Sequence, residues 1–198
     1  MLQQFFNFLE PHISLSEDRK NLIRNKCHVE QLGKGDVFVE AGKVSRKAGF
    51  ILSGVMRYYF IDKFGKEITT MFVKENEFVA RLSSFFDFLP STRTIEAEVS
   101  SVVVTITYEH YQHIVGQIPE FHQLVGQTAT NFLTQESERQ RLYIDHLGAE
   151  RYKLFLGHFP TISSKIALGH IASFLGMSAP TLSRIRRRMK SENPTTFM

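Results

Sequence analysis

At 198 residues, with 42% hydrophobic and 22% charged, the chain is long enough to bury a good core in one or two domains. Its single cysteine, Cys27, excludes an intrachain disulfide and an all-cysteine iron–sulfur cluster held by one chain, and makes a reducing cytoplasm the expected compartment. The formal charge is +4, yet residues 165–198 hold six Lys or Arg against one acid, Glu192, a net of +5 that leaves −1 for residues 1–164.

The amino terminus, MLQQFFNFLEPHI, lacks a basic leader, carries Glu10 and breaks at Pro11, so no signal peptide is expected, and no later stretch approaches a membrane-spanning length. Residues 2–10 and 16–27 are predicted short helices, the second opened by Ser16 and Glu17. Cys27 closes it and reads as a small buried or half-buried residue rather than a sensor. From about Val29 to Thr107 the periodicity becomes that of strands, with Gly33, Gly35, Gly42, Gly49 and Gly54 punctuating runs such as VFVEA, AGFILSG and VMRYYFID. VMRYYFIDKFGKEITTMFVKENEFV predicts two strands joined by a Gly-containing loop at Asp62–Lys66, and IEAEVSSVVVTIT predicts two more. Many short strands in succession predict a small barrel or jelly roll. After Glu109 the pattern is helical again: a short helix over 109–116, a long one from Pro119 to about His146, and another from Ala149 to His158.

The segment KIALGHIASFLGMSAPTLSRIRRRMK (165–190) is the most informative in the chain. Leu168, Ile171, Ala172 and Leu175 form one apolar helical face, and Gly176 follows where a residue of positive φ ends a helix. Ser178 offers an N-cap oxygen and Pro180 fits a first turn, whose amides have no helical partner. A second helix then buries Leu182, Ile185 and Met189 and leaves Thr181, Ser183, Arg184, Arg187, Arg188 and Lys190 on its other faces. Two amphipathic helices joined by a turn, with small Ala172 at their closest crossing, predict a helix-turn-helix. The alternative is an ordinary helical hairpin with a solvated basic face. Concentration of the positive charge on one helix favours phosphate neutralisation, and so DNA.

The order of parts resembles the Crp/Fnr family of bacterial transcription regulators over nearly the whole chain. The resemblance is carried by GKGDVFVEAGKVSRKAGFILSGVMRYYF, similar to the family's opening strands with their glycines, and by HIASFLGMSAPTLSRIRRRM, similar to its DNA-reading segment. It implies a two-domain α+β fold: a cyclic nucleotide-binding-like β-roll (1–118), a long dimerisation helix (119–146) and a winged helix-turn-helix (147–198). It also implies a cytoplasmic homodimer that binds operator DNA and works with RNA polymerase. Arg184 falls where a family arginine reads guanine, for which bidentate contact to O6 and N7 is suited. Thr181 and Ser183 fall among base-edge or phosphate contacts, Ser178 as cap and phosphate donor, and Arg187, Arg188 and Lys190 as backbone neutralisers. Arg186 is assigned to the backbone or to packing against another helix. Ala179 and Pro180 replace long polar side chains of some relatives, so sequence preference should differ. Only eight residues follow Lys190, so the wing is expected to be short or missing.

The effector site departs from the family pattern. Members that bind cyclic AMP place a Gly-Glu pair where this chain has Ala80 and Arg81, and an Arg-Ser or Arg-Thr pair where it has Ser91 and Thr92. A cyclic phosphate needs a paired cation and a ribose hydroxyl needs an acceptor. Both are replaced here, which argues against cyclic AMP bound in the usual manner. A cyclic nucleotide held by an altered pocket is the alternative. Arg93 shares strand parity with Ser91, so Arg81 and Arg93 are candidates to receive an anion. Surface or ion-paired roles, for instance with Glu96 or Asp87, are the favoured reading of both. Phe85, Phe86 and Phe88 are candidates to fill the pocket themselves.

Other classes fit less well. None of the eight histidines lies between Val29 and Glu109, which argues against a cupin-type metal centre or a haem ligated within the roll. His110 and His113, three apart on a helix, suit solvated or capping roles better than a zinc site. No phosphate loop or nucleophile elbow is present, so no enzyme is expected, and Ser163 and Ser164 read as helix caps. Val125, Thr128, Phe132, Gln135, Arg139 and Leu142 recur at three and four, a candidate dimer seam with a polar middle that would equally pack on the chain's own roll.

Overall fold

The computed structural model of the chain describes residues 2–160 and 163–192, with the side chains of 135–136, 138–145 and 192 outside the description. Two helices lead: α1 (Leu2–Leu9), which buries Phe5, Phe6 and Leu9, and α2 (Glu17–Lys26). Ser16 caps α2 by accepting the Arg19 amide at 3.3 Å, and Arg24 and Lys26 sit in its last turn where a cation suits the helix dipole.

Eight strands follow: β1 (His28–Leu32), β2 (Val37–Val39), β3 (Lys47–Ser53), β4 (Val55–Ile61), β5 (Glu67–Lys74), β6 (Phe78–Val79), β7 (Thr94–Ala97) and β8 (Ser101–Thr107). They form two antiparallel four-stranded sheets, ordered β1-β8-β3-β6 and β2-β7-β4-β5. The hairpin predicted at Asp62–Lys66 is present, with Gly65 at φ +79° and the Asp62 carboxylate accepting the Phe64 and Lys66 amides. Its second strand is shorter than the sequence suggested. Asn76 takes φ +64°, a left-handed conformation that Asn tolerates, and Phe78–Val79 crosses to pair with β3 in the other sheet. A five-residue helix, α3 (Leu82–Phe86), bridges β6 and β7. It escaped the sequence reading because a single turn carries no periodicity.

Alternation along the strands divides the packing into three layers. Met56 and Tyr58, Met71 and Val73, Ile95 and Ala97 point between the sheets. The outer face of the first sheet, through Phe50, Leu52 and Val104, packs on α1, α2 and two further helices, α4 (Tyr108–Gln117) and α5 (Pro119–Asp145). Thr107 caps α4 by accepting the His110 amide, and Pro119 occupies the first turn of α5, whose 27 residues span about 40 Å. The outer face of the second sheet, through Val55 and Phe72, packs on α6 (Gly148–His158), α7 (Leu168–Phe174) and α8 (Ala179–Glu192). The fold is thus mixed α+β, a β-roll flanked by helices. Ser163 and Ser164 are not caps: Ala167 holds the N-cap position of α7. Among the described residues no strand follows β8, and no helix is long and apolar enough to cross a membrane.

Candidate nucleic-acid interface and effector cavity

The turn between α7 and α8 follows from its residues. Gly176 sits at φ +66°, its amide bonded to the Ser173 carbonyl while the Met177 amide reaches the Ala172 carbonyl, so orphan carbonyls of α7 are satisfied by one left-handed glycine. Arg151 of α6 donates from Nη1 to the Leu175 carbonyl and braces the same corner. Ser178 caps α8: its Oγ accepts the Thr181 amide at 3.2 Å and lies 2.8 Å from Thr181 Oγ1. Ala172 and Leu182 are fully buried between the helices, with Ile185 and Met189 half-buried beside them.

Ser178, Arg184, Arg187, Arg188 and Lys190 are exposed, and Thr181 and Ser183 are half-buried. Thr181, Arg184 and Arg188 follow one another at three and four along a single stripe of α8, and Arg184 Nη2 lies 3.5 Å from Thr181 Oγ1. Arg186 is half-buried, its charge bearing on the buried Tyr152 phenol, whose pKa burial raises and Arg186 lowers in part. The arrangement presents four cations and a capped helix N-terminus to solvent, a surface suited to a polyanion.

The sequence reading missed what holds this module to the roll. Arg57, Glu96 and Glu98 share the outer face of the second sheet. Arg57 is 2% exposed, yet it donates to Glu96 at 2.6 Å, to Glu67 at 2.7 Å and to Thr69 at 3.3 Å, and its Nε lies 3.7 Å from Glu98. Glu98 is 1% exposed and reaches into α7: Oε1 accepts the Ala167 amide at 2.9 Å, and Oε2 lies 2.7 Å from His170 Nδ1. Burial pushes its carboxyl up, but the bonds to His170 and Ala167 and the Arg57 charge outweigh that and hold it below the ordinary carboxylate value. Ser173 completes the seam, accepting the Thr69 amide and donating to the Glu67 carbonyl. A signal was available: Arg57 stands in the apolar run VMRYYF at the parity of outward positions, and Glu96 and Glu98 alternate with Ile95 and Ala97.

On the opposite side of the roll a cavity of about 360 Å³ lies between α1, α3, α4, α5 and the first sheet. Of the expected effector residues, Ala80 lines it, while Arg81, Ser91, Thr92 and Arg93 stand outside. Arg81 donates to Thr92 Oγ1 at 3.2 Å, and its Nε is buried without a partner. Ser91 is buried in a turn whose hydroxyl serves the Arg93 backbone, and Arg93 lies over the Phe60 ring at 4.3 Å. The strand-parity argument for Ser91 and Arg93 does not apply, because β7 begins only at Thr94. Phe85 and Phe86 do line the cavity, but Phe88 packs on Tyr108 and under Arg46. Phe5 and Phe8 of α1 enter it as well, a contribution the sequence reading missed although the FFNF run at helical spacing marked it.

The near half of the candidate dimer seam faces the chain's own roll. Val125 packs on the α1–α5 core, Phe132 on Tyr58, and Thr128 on the cavity. The side chains of Gln135, Arg139 and Leu142 lie outside the described residues. His110 bonds the Lys26 carbonyl and His113 the Gln117 amide group, and among the described residues no cluster of His, Cys, Asp or Glu has the makings of a metal site. Burial drives the Cys27 thiol up to about 12, as expected for a packing residue.

Residues 29–117 match the cyclic nucleotide-binding domain family. No curated protein matches the chain in sequence. Among solved structures, a Crp/Fnr-family transcriptional regulator from Eubacterium rectale superposes with a TM-score of 0.71 at 20% identity, over 94% of this chain and 88% of that one. The c-di-GMP-responsive global regulator CLP of Xanthomonas campestris gives 0.72 at 11% identity, over 89% and 93%. FixK2 of Bradyrhizobium japonicum gives 0.72 at 12% identity, over 84% and 85%. At such identities these likenesses establish the fold alone.

Proposed function

We propose that this chain, which carries a cyclic nucleotide-binding domain and the fold of the Crp/Fnr regulators, is a DNA-binding transcription regulator of that type rather than an enzyme. The observation that carries the reading is α8: a capped helix whose Arg184, Arg187, Arg188 and Lys190 face solvent in a chain whose remaining residues hold no positive excess. Its exposed stripe suits the major groove, with Arg184 placed to meet a guanine edge, Ser178, Thr181 and Ser183 to meet base edges or phosphates, and the other cations to meet the backbone.

The division of labour follows the chain. Residues 1–118 form the sensor, 119–146 the helix that joins two copies, and 147–198 the DNA-binding part. A two-fold operator presents half-sites about 34 Å apart, which calls for a homodimer. The setting is a bacterial cytoplasm, and the partner beyond DNA is RNA polymerase. The match to the cyclic nucleotide-binding family favours one second reading, a nucleotide-responsive regulator whose pocket is altered at Ala80, Arg81, Ser91 and Thr92.

Titration of a labelled random duplex over a range of salt tests the reading. The logarithm of affinity should fall linearly with the logarithm of salt, and Arg188→Ala should flatten that slope by about one unit while weakening all sequences alike. Affinity independent of salt, or a slope untouched by Arg188→Ala, contradicts it.

A further inference from the structure

The cavity between α1 and the first sheet differs in its lining from a nucleotide pocket. Its walls are aromatic: Phe5 and Phe8 from α1, Phe50 from β3, Phe78 from β6, Phe85 from α3 and Phe132 from α5. Its volume, about 360 Å³, is that of a small-molecule pocket. An apolar cavity of about 150 Å³ holds benzene, so this one has room for roughly a dozen to fifteen non-hydrogen atoms.

Five of the polar groups on its wall have partners in the protein itself. Tyr58 Oη accepts the Ala80 amide at 3.1 Å and lies 3.2 Å from the Ala80 carbonyl. Tyr111 Oη lies 2.6 Å from His122 Nδ1, and Thr128 Oγ1 donates to the Leu124 carbonyl at 2.8 Å. Asn76 Oδ1 accepts from Gln4, and Glu77 accepts the Lys74 amide. No Lys or Arg lines the space; its ionisable lining includes Glu77 and a single imidazole, His12 at the α1 end. A phosphate there would lose its hydration without gaining a guanidinium or ammonium partner. An uncharged apolar molecule meets no such penalty.

We propose that this cavity binds one neutral, largely apolar small molecule per chain, an aromatic or medium-length aliphatic compound with at most one uncharged polar group at the Gln127–Asn131 mouth. The molecule touches both α1 and the long helix, the element that joins sensor to DNA module. The inference deepens the sensor half of the proposed function and rests on it only for that consequence, since binding is read without DNA.

The test is a fluorescence titration of the full chain with 1-aminoanthracene, a neutral three-ring fluorophore, followed by competition. Saturable binding at one probe per chain is expected, with displacement by decanol, displacement at least about tenfold weaker by decanoate, and none by cyclic AMP. Ala129→Phe and Val125→Phe, two half-buried positions that point bulk into the cavity, should each weaken the probe about tenfold with thermal unfolding unchanged. Absence of saturable binding, decanoate equal to decanol, displacement by cyclic AMP, or full probe affinity in both filled variants overturns the proposal. None of these outcomes bears on whether α8 binds DNA.

Discussion

At the scale of single residues, Arg184 carries the sharpest expectation. Its exposed guanidinium sits about a turn and a half beyond the capped start of α8, and the proposed reading of guanine requires its bidentate geometry. Arg184→Ala should cost about 1–3 kcal/mol on a specific duplex and relax preference at one base pair, read by anisotropy against specific and random duplexes. Equal losses on both would remove Arg184 from base reading. The turn between α7 and α8 was legible because the positions of Gly176, Ser178 and Leu182 are local consequences of helix geometry. The residues of the cavity were not, because Phe5, Phe50 and Phe132 are brought together from three distant segments. Arg57 was hidden for a related reason: its partners Glu67, Glu96 and Glu98 lie across strand ladders that only register defines.

At the scale of elements, most helices and strands fall within a residue or two of where periodicity and caps placed them. Ser16 and Pro119 each mark a start that the structure uses. The exceptions are short. α3 and β6 are set by the positive φ of Asn76 and by pairing with β3, neither of which a period can announce. α7 is held to the second sheet by Glu98, and this contact has a measurable pH signature. Its depressed carboxyl contributes stability that is full above the ordinary carboxylate range and is lost as pH falls through the folded value. Glu98→Gln should destabilise the chain by about 1–3 kcal/mol at neutral pH, with a gap from wild type that narrows in acid. It should also speed hydrogen exchange at the Ala167 amide, whose acceptor it weakens. A gap constant with pH would mean that the Glu98 charge does not hold α7. Within the module, Leu182→Ala should cost about 2–5 kcal/mol, because Leu182 is fully buried between α7 and α8, and denaturant unfolding measures it.

At the scale of the whole molecule, three apolar layers lie side by side through one β-roll, with α6, α7 and α8 on one outer face and the aromatic-walled cavity on the other. The roll thus stands between that cavity and the basic face of α8, with α5 bordering the former and α6 leading to the latter. The succession of helices, strands and helices was legible in the sequence because the strands have a period of two and the flanking segments one of 3.6. How α5 is used was not, since Val125, Thr128 and Phe132 suit either a partner helix or the chain's own roll, and it is the roll that they face. The measurement that tests the account most directly is selection from a random duplex pool by the purified chain, run in parallel with and without cyclic AMP. The account predicts one two-fold symmetric motif, the same in both arms. Enrichment only in the presence of cyclic AMP would contradict the neutral-ligand sensor, and no enrichment in either arm would contradict the assignment of α8 to DNA.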